Sequence, residues 1–263
     1  MEMPTVNRIL CWTIGPVLLV CLFCSTSNAQ ETNPGQPDPT GKMSVSALRA
    51  QGLTALQKGD SHNAILAADA MTQQHSDDAR ALRLAADIYL RSGKVDSAAR
   101  LFDRYLELEP EEMRGLWQRG IALYFVGDYK RAAKQFEEHR KVNPNDVENA
   151  AWHFLCVAKA ESFAKARELI LPAPNDPRVP LEEIHSMLKT GDTRAVNQRV
   201  SRTPPDSQAR ADATFYGNFY LGLYADANGD QENARDLLTR TAEAAPHHYM
   251  GDIARVYAKQ LSK

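Results

Sequence analysis

Residues 113–146, MRGLWQRGIALYFVGDYKRAAKQFEEHRKVNPND, carry the pattern that decides the fold. Gly120 and Ala132 are small enough to let two antiparallel helices approach each other closely. Gly127 can adopt the left-handed conformation that ends a first helix, and Asp128 can cap the amide groups that begin a second one. The stretch therefore predicts a pair of antiparallel helices. Leu116, Tyr129 and Phe136 are predicted to form the apolar contact between the two helices. Pro144 is predicted to end the second helix.

The same pattern recurs at a period of 34 residues, because Gly93 and Gly59 precede Gly127 at that spacing. The alanines Ala132, Ala98 and Ala64 repeat in the same phase. This period is typical of tetratricopeptide repeats, in which each helix pair buries its apolar face against its neighbours. We predict three contiguous regular units: 45–78, 79–112 and 113–146.

Beyond residue 146 the pattern weakens and then returns in register, since Gly229 lies three periods after Gly127. Prolines at four of the nine positions 172–180 predict a loop there, because each removes an amide donor. Gly191 is predicted to join two short helices. We expect about thirteen helices and no strand, in an all-α tetratricopeptide-repeat solenoid of antiparallel helix pairs. Its parts are three regular repeats (45–146), degenerate helical pairs with proline-rich loops (147–214), and a C-terminal repeat with a capping helix at 250–261 (215–263).

The first 44 residues differ from the rest of the chain. An apolar run from Ile9 to Cys24 is followed by small residues at positions 27 and 29, which predicts a signal peptide over 1–29 that is cleaved after Ala29. The alternative is an uncleaved membrane anchor, although this run is short for a bilayer span. Residues 30–44 are rich in proline and glycine and predict a disordered linker. The expected product is an exported protein, periplasmic or secreted, that is soluble after signal cleavage.

Composition and motifs exclude several function classes. A formal net charge of -2 argues against nucleic acid as the main partner. No nucleophile elbow, zinc-protease motif or phosphate-binding loop is found in the sequence, so we expect no enzyme, cofactor or metal site. The histidines 153, 185, 247 and 248 are expected to be exposed or to cap helices. Cys156, the single cysteine outside the predicted signal, is expected to pack inside a helix.

The order of the motifs resembles that of the NlpI-type lipoproteins of the bacterial envelope. The resemblance rests on Arg119–Tyr124, the helix after Asp146 that bears Trp152, the irregular middle, and Asn218–Gly222 followed by Gly229. It implies an all-helical homodimeric adaptor that brings peptidoglycan hydrolases and a tail-specific protease to their substrates without catalysis. The family is anchored by a lipidated cysteine. Here Val20 precedes Cys21, which lacks the small residue that lipidation requires.

In such a stack the first helix of each pair lines the concave surface. The positions that face it combine arginine forks, which bind carboxylates at two points, with rigid aromatic rings. They predict a groove for an extended peptide that bears acidic groups or a free C-terminus. The alternative is a solvated arginine face with aromatics packed against the next unit. The predicted groove residues are Arg49, Arg80, Arg83, Asp87, Arg91, Arg114, Trp117, Ile121, Tyr124 and Phe125.

A second aromatic run lies at helical spacing in the last repeat. It predicts either a homodimer contact or packing against the degenerate middle, and packing is the preferred reading. Its residues are Phe215, Tyr216, Phe219, Tyr220 and Tyr224. The sequence thus predicts an adaptor that binds proteins or peptides, with a structural spacer or assembly factor as the alternative. A membrane would be reached only through an uncleaved signal.

Overall fold

The computed structural model describes residues 41–262, which lie in one compact unit. The predicted signal 1–29 and the predicted linker up to residue 40 lie outside the described residues. The described part contains no strand, and none of its helices is both long enough and apolar enough to span a bilayer. It holds thirteen α-helices: α1 (Val45–Gln57), α2 (Ser61–Gln74), α3 (Ala79–Arg91), α4 (Val95–Leu108), α5 (Trp117–Phe125), α6 (Tyr129–Arg140), α7 (Val147–Ala160), α8 (Phe163–Glu168), α9 (Leu181–Thr190), α10 (Arg194–Arg202), α11 (Gln208–Ala227), α12 (Gln231–Glu243) and α13 (Tyr249–Leu261).

The regular helix pairs share one bend, as the sequence predicts. The glycines at the four bends have positive φ angles: Gly59 (70°), Gly93 (83°), Gly127 (82°) and Gly229 (83°). At three of the bends the next residue is an aspartate whose carboxylate accepts the amide three residues on. The bend after α3 has Lys94 at this position and no side-chain cap. The repeated glycine therefore reverses the chain between antiparallel helices, and aspartate usually begins the second helix.

Small residues bring the paired helices into close contact. A Cβ atom added to Gly120 of α5 would lie 2.6 Å from Cζ of the Phe136 ring on α6. The same addition at Gly222 of α11 would lie 2.6 Å from Cγ of Leu238 on α12. Both partners are buried, so each helix pair meets at a point where a larger residue does not fit.

Two helices begin elsewhere than the repeat period predicts. The third unit starts with a 3-10 helix, Pro110–Gly115, and α5 begins only at Trp117. Proline at the first position and glycine at the last favour this short turn over an α-helix. The last repeat begins earlier than residue 215, because Ser207, just after the Pro204–Pro205 pair, caps α11 by accepting the amide of Arg210.

The degenerate middle contains α7 to α10 and a loop between α8 and α9. Arg178 in this loop donates to Asp146 at 2.7 Å, to Asp176 at 2.6 Å and to Glu148. These ion pairs attach the loop to the start of α7. The predicted linker ends in contact with the stack, since the amide of Met43 donates to Gln74 at the end of α2.

The C-terminal helix returns to the first repeats. Arg91 of α3 donates to Oδ2 of Asp252 through Nε at 2.9 Å and through Nη2 at 2.8 Å, and Arg255 donates to the other oxygen. The hydroxyls of Tyr124 on α5 and Tyr257 on α13 lie 2.9 Å apart in a buried hydrogen bond. Helix α13 therefore packs on α12, and it also contacts helices that precede it by more than a hundred residues.

Candidate functional site

The inner face, formed by the sides of α1, α3, α5 and α7 that turn towards α13, is the candidate site. At the start of α13, Tyr249 packs edge-on against Trp117 with 4.8 Å between ring centroids, and Arg91 lies 5.1 Å above the Tyr249 ring. At its end, the Tyr257 ring packs 5.5 Å from Phe125. The chain's own last helix thus covers the middle of this face.

A buried polar network fixes α13 in this position. Tyr257 donates to Asp226 of α11 at 2.7 Å, and Lys159 of α7 forms an ion pair with the same carboxylate at 2.8 Å. Burial opposes ionisation of Asp226, but Lys159, Tyr257 and Gln231 outweigh it and hold the Asp226 pKa below its ordinary value. The network joins α5, α7, α11 and α13 through one carboxylate.

The covering helix buries part of the predicted groove. Ile121 and Tyr124 are buried, and Phe125 is half-buried between Tyr257 and the Trp152 ring. Burial raises the Tyr124 pKa well above that of a free phenol. Tyr124 is thus buried beside Tyr257 of α13, whereas Phe125 keeps part of its surface exposed and Ile121 lies at the wall of a second opening described below.

The uncovered first part of the inner face is a cleft of about 290 Å³, the basic cleft. Arg49, Arg83 and Arg91 line it, with Asp87 between them and Tyr249 at one side. Burial raises the pKa of Asp87, although Tyr249 and the three arginines oppose this effect. Within the described residues, Arg49 and Arg83 form no ion pair or hydrogen bond. Both guanidinium groups are therefore available to an anionic ligand.

Two predicted groove residues lie apart from the basic cleft. Arg80 is exposed at the start of α3 and is not among the residues that line the cleft. Arg114 lies in the 3-10 helix, its side chain is 60% exposed, and it faces Glu138 of α6 at 3.8 Å. The repeat period assigned Arg114 to the concave surface because it assumed that α5 begins four residues earlier.

A second opening, the aromatic cleft of about 220 Å³, lies on the other side of Tyr249. Its walls come from α5, α6, α7 and the start of α13, and they include the predicted residues Trp117 and Ile121. Sequence reasoning missed the rest, because no residue pattern showed where α13 would pack. The remaining lining residues are Phe136, His139, Asp146, Glu148, Asn149, Trp152, Tyr249 and Met250.

The second predicted surface is mostly internal. Phe215, Phe219, Tyr220 and Tyr224 are buried, which agrees with the packing alternative, and Tyr216 is half-buried. The Phe219 ring packs 6.3 Å from Trp152 of α7. The run therefore joins the last repeat to the degenerate middle.

Two of the four histidines depart from the expectation of exposed or capping residues. His153 is buried, and burial lowers its pKa. His185 is buried as well and donates from Nε2 to the Leu171 carbonyl at 2.9 Å, which fixes the proline-rich loop. His248 is a capping residue as expected, because its Nδ1 accepts the Gly251 amide at 3.1 Å. Cys156 is buried as expected, and burial raises its thiol pKa.

No group of three or more potential metal ligands occurs among residues 41–262. The densest carboxylate cluster, Asp146, Glu148 and Asp176, surrounds Arg178. A guanidinium occupies the centre where a metal ion would have to bind.

Comparison with known proteins agrees with the helix pairs. The family model for tetratricopeptide repeats matches residues 49–112, which span the first two pairs. The chain is similar to a solved structure described as "MamA MSR-1 C2", with 16% identity, coverage of 75% of this chain and 98% of that one, and a TM-score of 0.43. It is also similar to a tetratricopeptide repeat protein from Parabacteroides merdae ATCC 43184, with 15% identity, coverage of 83% and 99%, and a TM-score of 0.44.

Proposed function

We propose that this protein is a non-catalytic adaptor that binds the acidic or carboxyl-terminal segment of a partner protein in the basic cleft. The single observation that supports this most is the pair Arg49 and Arg83, two cationic forks on neighbouring helices that share only the buried Asp87 carboxylate and form no direct ion pair with it among the described residues. A carboxylate binds such forks strongly because two parallel hydrogen bonds accompany the charge attraction. Stacked repeats commonly present a binding surface of this kind.

The buried amide oxygen of Gln118 supports an extended peptide in particular. Gln118 lines the basic cleft, and its Oε1 has no hydrogen-bond partner among the described residues. A peptide backbone would supply an N–H donor for this oxygen while its carboxylate binds the arginines. One ligand would then satisfy both kinds of group.

Titration of a fluorescein-labelled peptide with an aspartate-rich, free C-terminus tests this function. We expect the same peptide with an amidated, uncharged end to bind at least about tenfold more weakly, because one charge-assisted pair is worth roughly 1.5–3 kcal/mol. Arg83→Glu should abolish binding, and Trp117→Ala should weaken it by loosening Tyr249. Arg100→Glu on α4 is the matched control, since Arg100 is exposed outside the cleft. Equal affinity in Arg83→Glu and wild type would refute the proposal.

The cellular role is also part of the proposal. The signal-like residues 1–29 and the resemblance to NlpI-type lipoproteins support an exported adaptor of the cell envelope that links a protease or peptidoglycan hydrolase to its substrate. Affinity capture from an envelope fraction with wild type and Arg83→Glu tests it: a hydrolase or protease retained only by wild type supports the link. Sedimentation of the purified chain tests the homodimer that the resemblance implies.

The alternative function, a structural spacer or assembly factor, is favoured by α13. Its position on the inner face leaves less surface for exchangeable partners and makes the stack more rigid. The two functions differ in kinetics. An adaptor exchanges labelled peptide within minutes, whereas a spacer copurifies with one partner that does not exchange with added competitor.

A further inference from the structure

The aromatic cleft has the chemistry of a site for a positively charged side chain. Four rings line it, those of Trp117, Phe136, Trp152 and Tyr249, and their faces attract cations. Asp146 and Glu148 also line it, and none of its ten lining residues is a lysine or an arginine. Such a site accepts the apolar stem of a long side chain along the rings and its cationic end near the carboxylates.

The carboxylates keep a surplus of negative charge although they are paired. Asp146, Glu148 and Asp176 share a single guanidinium, that of Arg178, so three carboxyl groups face one cation. Burial raises the Glu148 pKa, and Arg178 and Tyr220 oppose this effect. Tyr220 donates to Glu148 at 2.9 Å without changing this balance. A second cation at the cleft would reduce the surplus.

Two residues of the cleft have a buried polar atom without a partner among the described residues, the acceptor Asn149 Oδ1 and the donor Trp152 Nε1, so a purely apolar occupant is disfavoured. Asn149 donates its amide N–H to the Phe136 carbonyl at 3.0 Å, but its buried Oδ1 has no hydrogen-bond partner among the described residues. An ammonium or guanidinium donor would satisfy this oxygen. A hydrocarbon group would leave it unpaired and would remove water from two carboxylates, and an anion would be repelled.

We propose that the aromatic cleft binds a lysine or arginine side chain of the same peptide whose carboxylate binds in the basic cleft. This inference rests on the proposed function for its peptide ligand. Tyr249 lines both clefts, so a peptide that crosses Tyr249 reaches both. The partner segment is thus defined by opposite charges at two points, an anionic end and a basic residue upstream or downstream of it.

The test uses two side-chain probes that share the same four-carbon stem and differ by the terminal ammonium group, Nα-acetyl-lysine amide and Nα-acetyl-norleucine amide. Trp117 and Trp152 both line the cleft, so their indole N–H signals in the ¹⁵N-labelled full chain report binding, with Trp→Phe variants for assignment. We expect the lysine probe to shift both signals saturably and the norleucine probe to bind about tenfold more weakly. Equal binding of both probes, or no shift with either, would overturn the inference.

Two variants test whether the carboxylates of the aromatic cleft attract the lysine probe. Asp146→Asn retains an N-cap for α7, and Glu148→Gln retains an acceptor for Tyr220. Each removes one charge with little change in side-chain size, although each also weakens one ion pair of Arg178. Each should weaken the lysine probe several-fold, whereas Asp192→Asn, an exposed carboxylate outside the cleft, should not. If Asp146→Asn or Glu148→Gln did not fold, the difference in affinity between the two probes on wild type would still test whether the cleft binds a cation.

The same variants separate this inference from the proposed function. The peptide with an aspartate-rich end binds through Arg83, so it should bind Asp146→Asn as it binds wild type. If that peptide binds but the lysine probe does not, the basic cleft is a binding site and the aromatic cleft is not. If the lysine probe binds and Arg83→Glu leaves peptide affinity unchanged, the basic cleft is not the carboxylate site, whereas the aromatic cleft is a cation site.

Discussion

At the scale of single residues, absence of a side chain determines how closely α5 and α6 pack. Gly120 lies against the Phe136 ring, which is itself buried and stacked on Trp152 at 6.4 Å. The ring therefore cannot move aside. We expect Gly120→Ala to lower the free energy of unfolding by about 2 kcal/mol through overpacking, despite the better helix propensity of alanine. Urea titration followed by circular dichroism measures this change. Lys130→Ala, an exposed control on α6, should change stability by less than about 0.5 kcal/mol.

The Asp226 carboxylate makes stability depend on pH. Its pKa in the folded chain lies below the ordinary value of 3.8, so its stabilising contribution is present above that value and is lost as the pH falls through the folded pKa. We expect Asp226→Asn to be less stable than wild type by about 2 kcal/mol at pH 7, because bonds to a charged acceptor are lost. The difference should shrink below pH 3.8. A constant difference from pH 7 to pH 2 in urea titrations would contradict this account.

At the scale of elements, one buried ion pair attaches the start of α13 to α3. The Asp252 side chain is 6% exposed and that of Arg91 is 14% exposed, so removal of the charge leaves a guanidinium buried with a weaker partner. We expect Asp252→Asn to speed hydrogen exchange in 249–262 by about a hundredfold, since breaking a buried pair costs roughly 3 kcal/mol or more. Exchange in α1 and α2 should not change.

The control for this prediction is Asp236→Asn on α12. Asp236 and Arg240 form an exposed pair, and such pairs contribute little to stability. Its exchange should match that of wild type throughout. If Asp236→Asn and Asp252→Asn behaved alike, the Arg91–Asp252 pair would contribute nothing measurable to the attachment of α13.

Local elements were predictable from the sequence, and their long-range packing was not. Gly93, Gly127 and Gly229 are confirmed at bends because a positive φ angle is a local requirement that glycine meets. Arg91 and Asp252 are 161 residues apart, and no period connects them. The apolar face of α13 predicts that this helix packs against another element. Nothing in the sequence around Ile121 or Phe125 identifies α13 as the helix that packs there.

At the scale of the whole molecule, the contact between α13 and α3 changes how the described part of the chain unfolds. A linear stack opens from its ends because each unit contacts only its neighbours. Here the last helix also holds the second repeat, so we expect peptides from α1–α4 and from α11–α13 to lose exchange protection at the same urea concentration. In Asp252→Asn the two midpoints should separate. Separate midpoints already in wild type would show that the halves are independent.

The position of α13 after α5 in the sequence also imposes an order on synthesis. Phe125 leaves the ribosome 124 residues before Tyr249, counted from their sequence numbers. At elongation rates of roughly 5 to 20 residues per second this is a delay of roughly 6 to 25 seconds, during which Tyr124 and Phe125 lack the cover that α13 provides. First repeats that fold before α13 is in place thus expose an aromatic surface to chaperones or to other copies of the chain. Once α13 has packed on the inner face, this aromatic surface is no longer exposed.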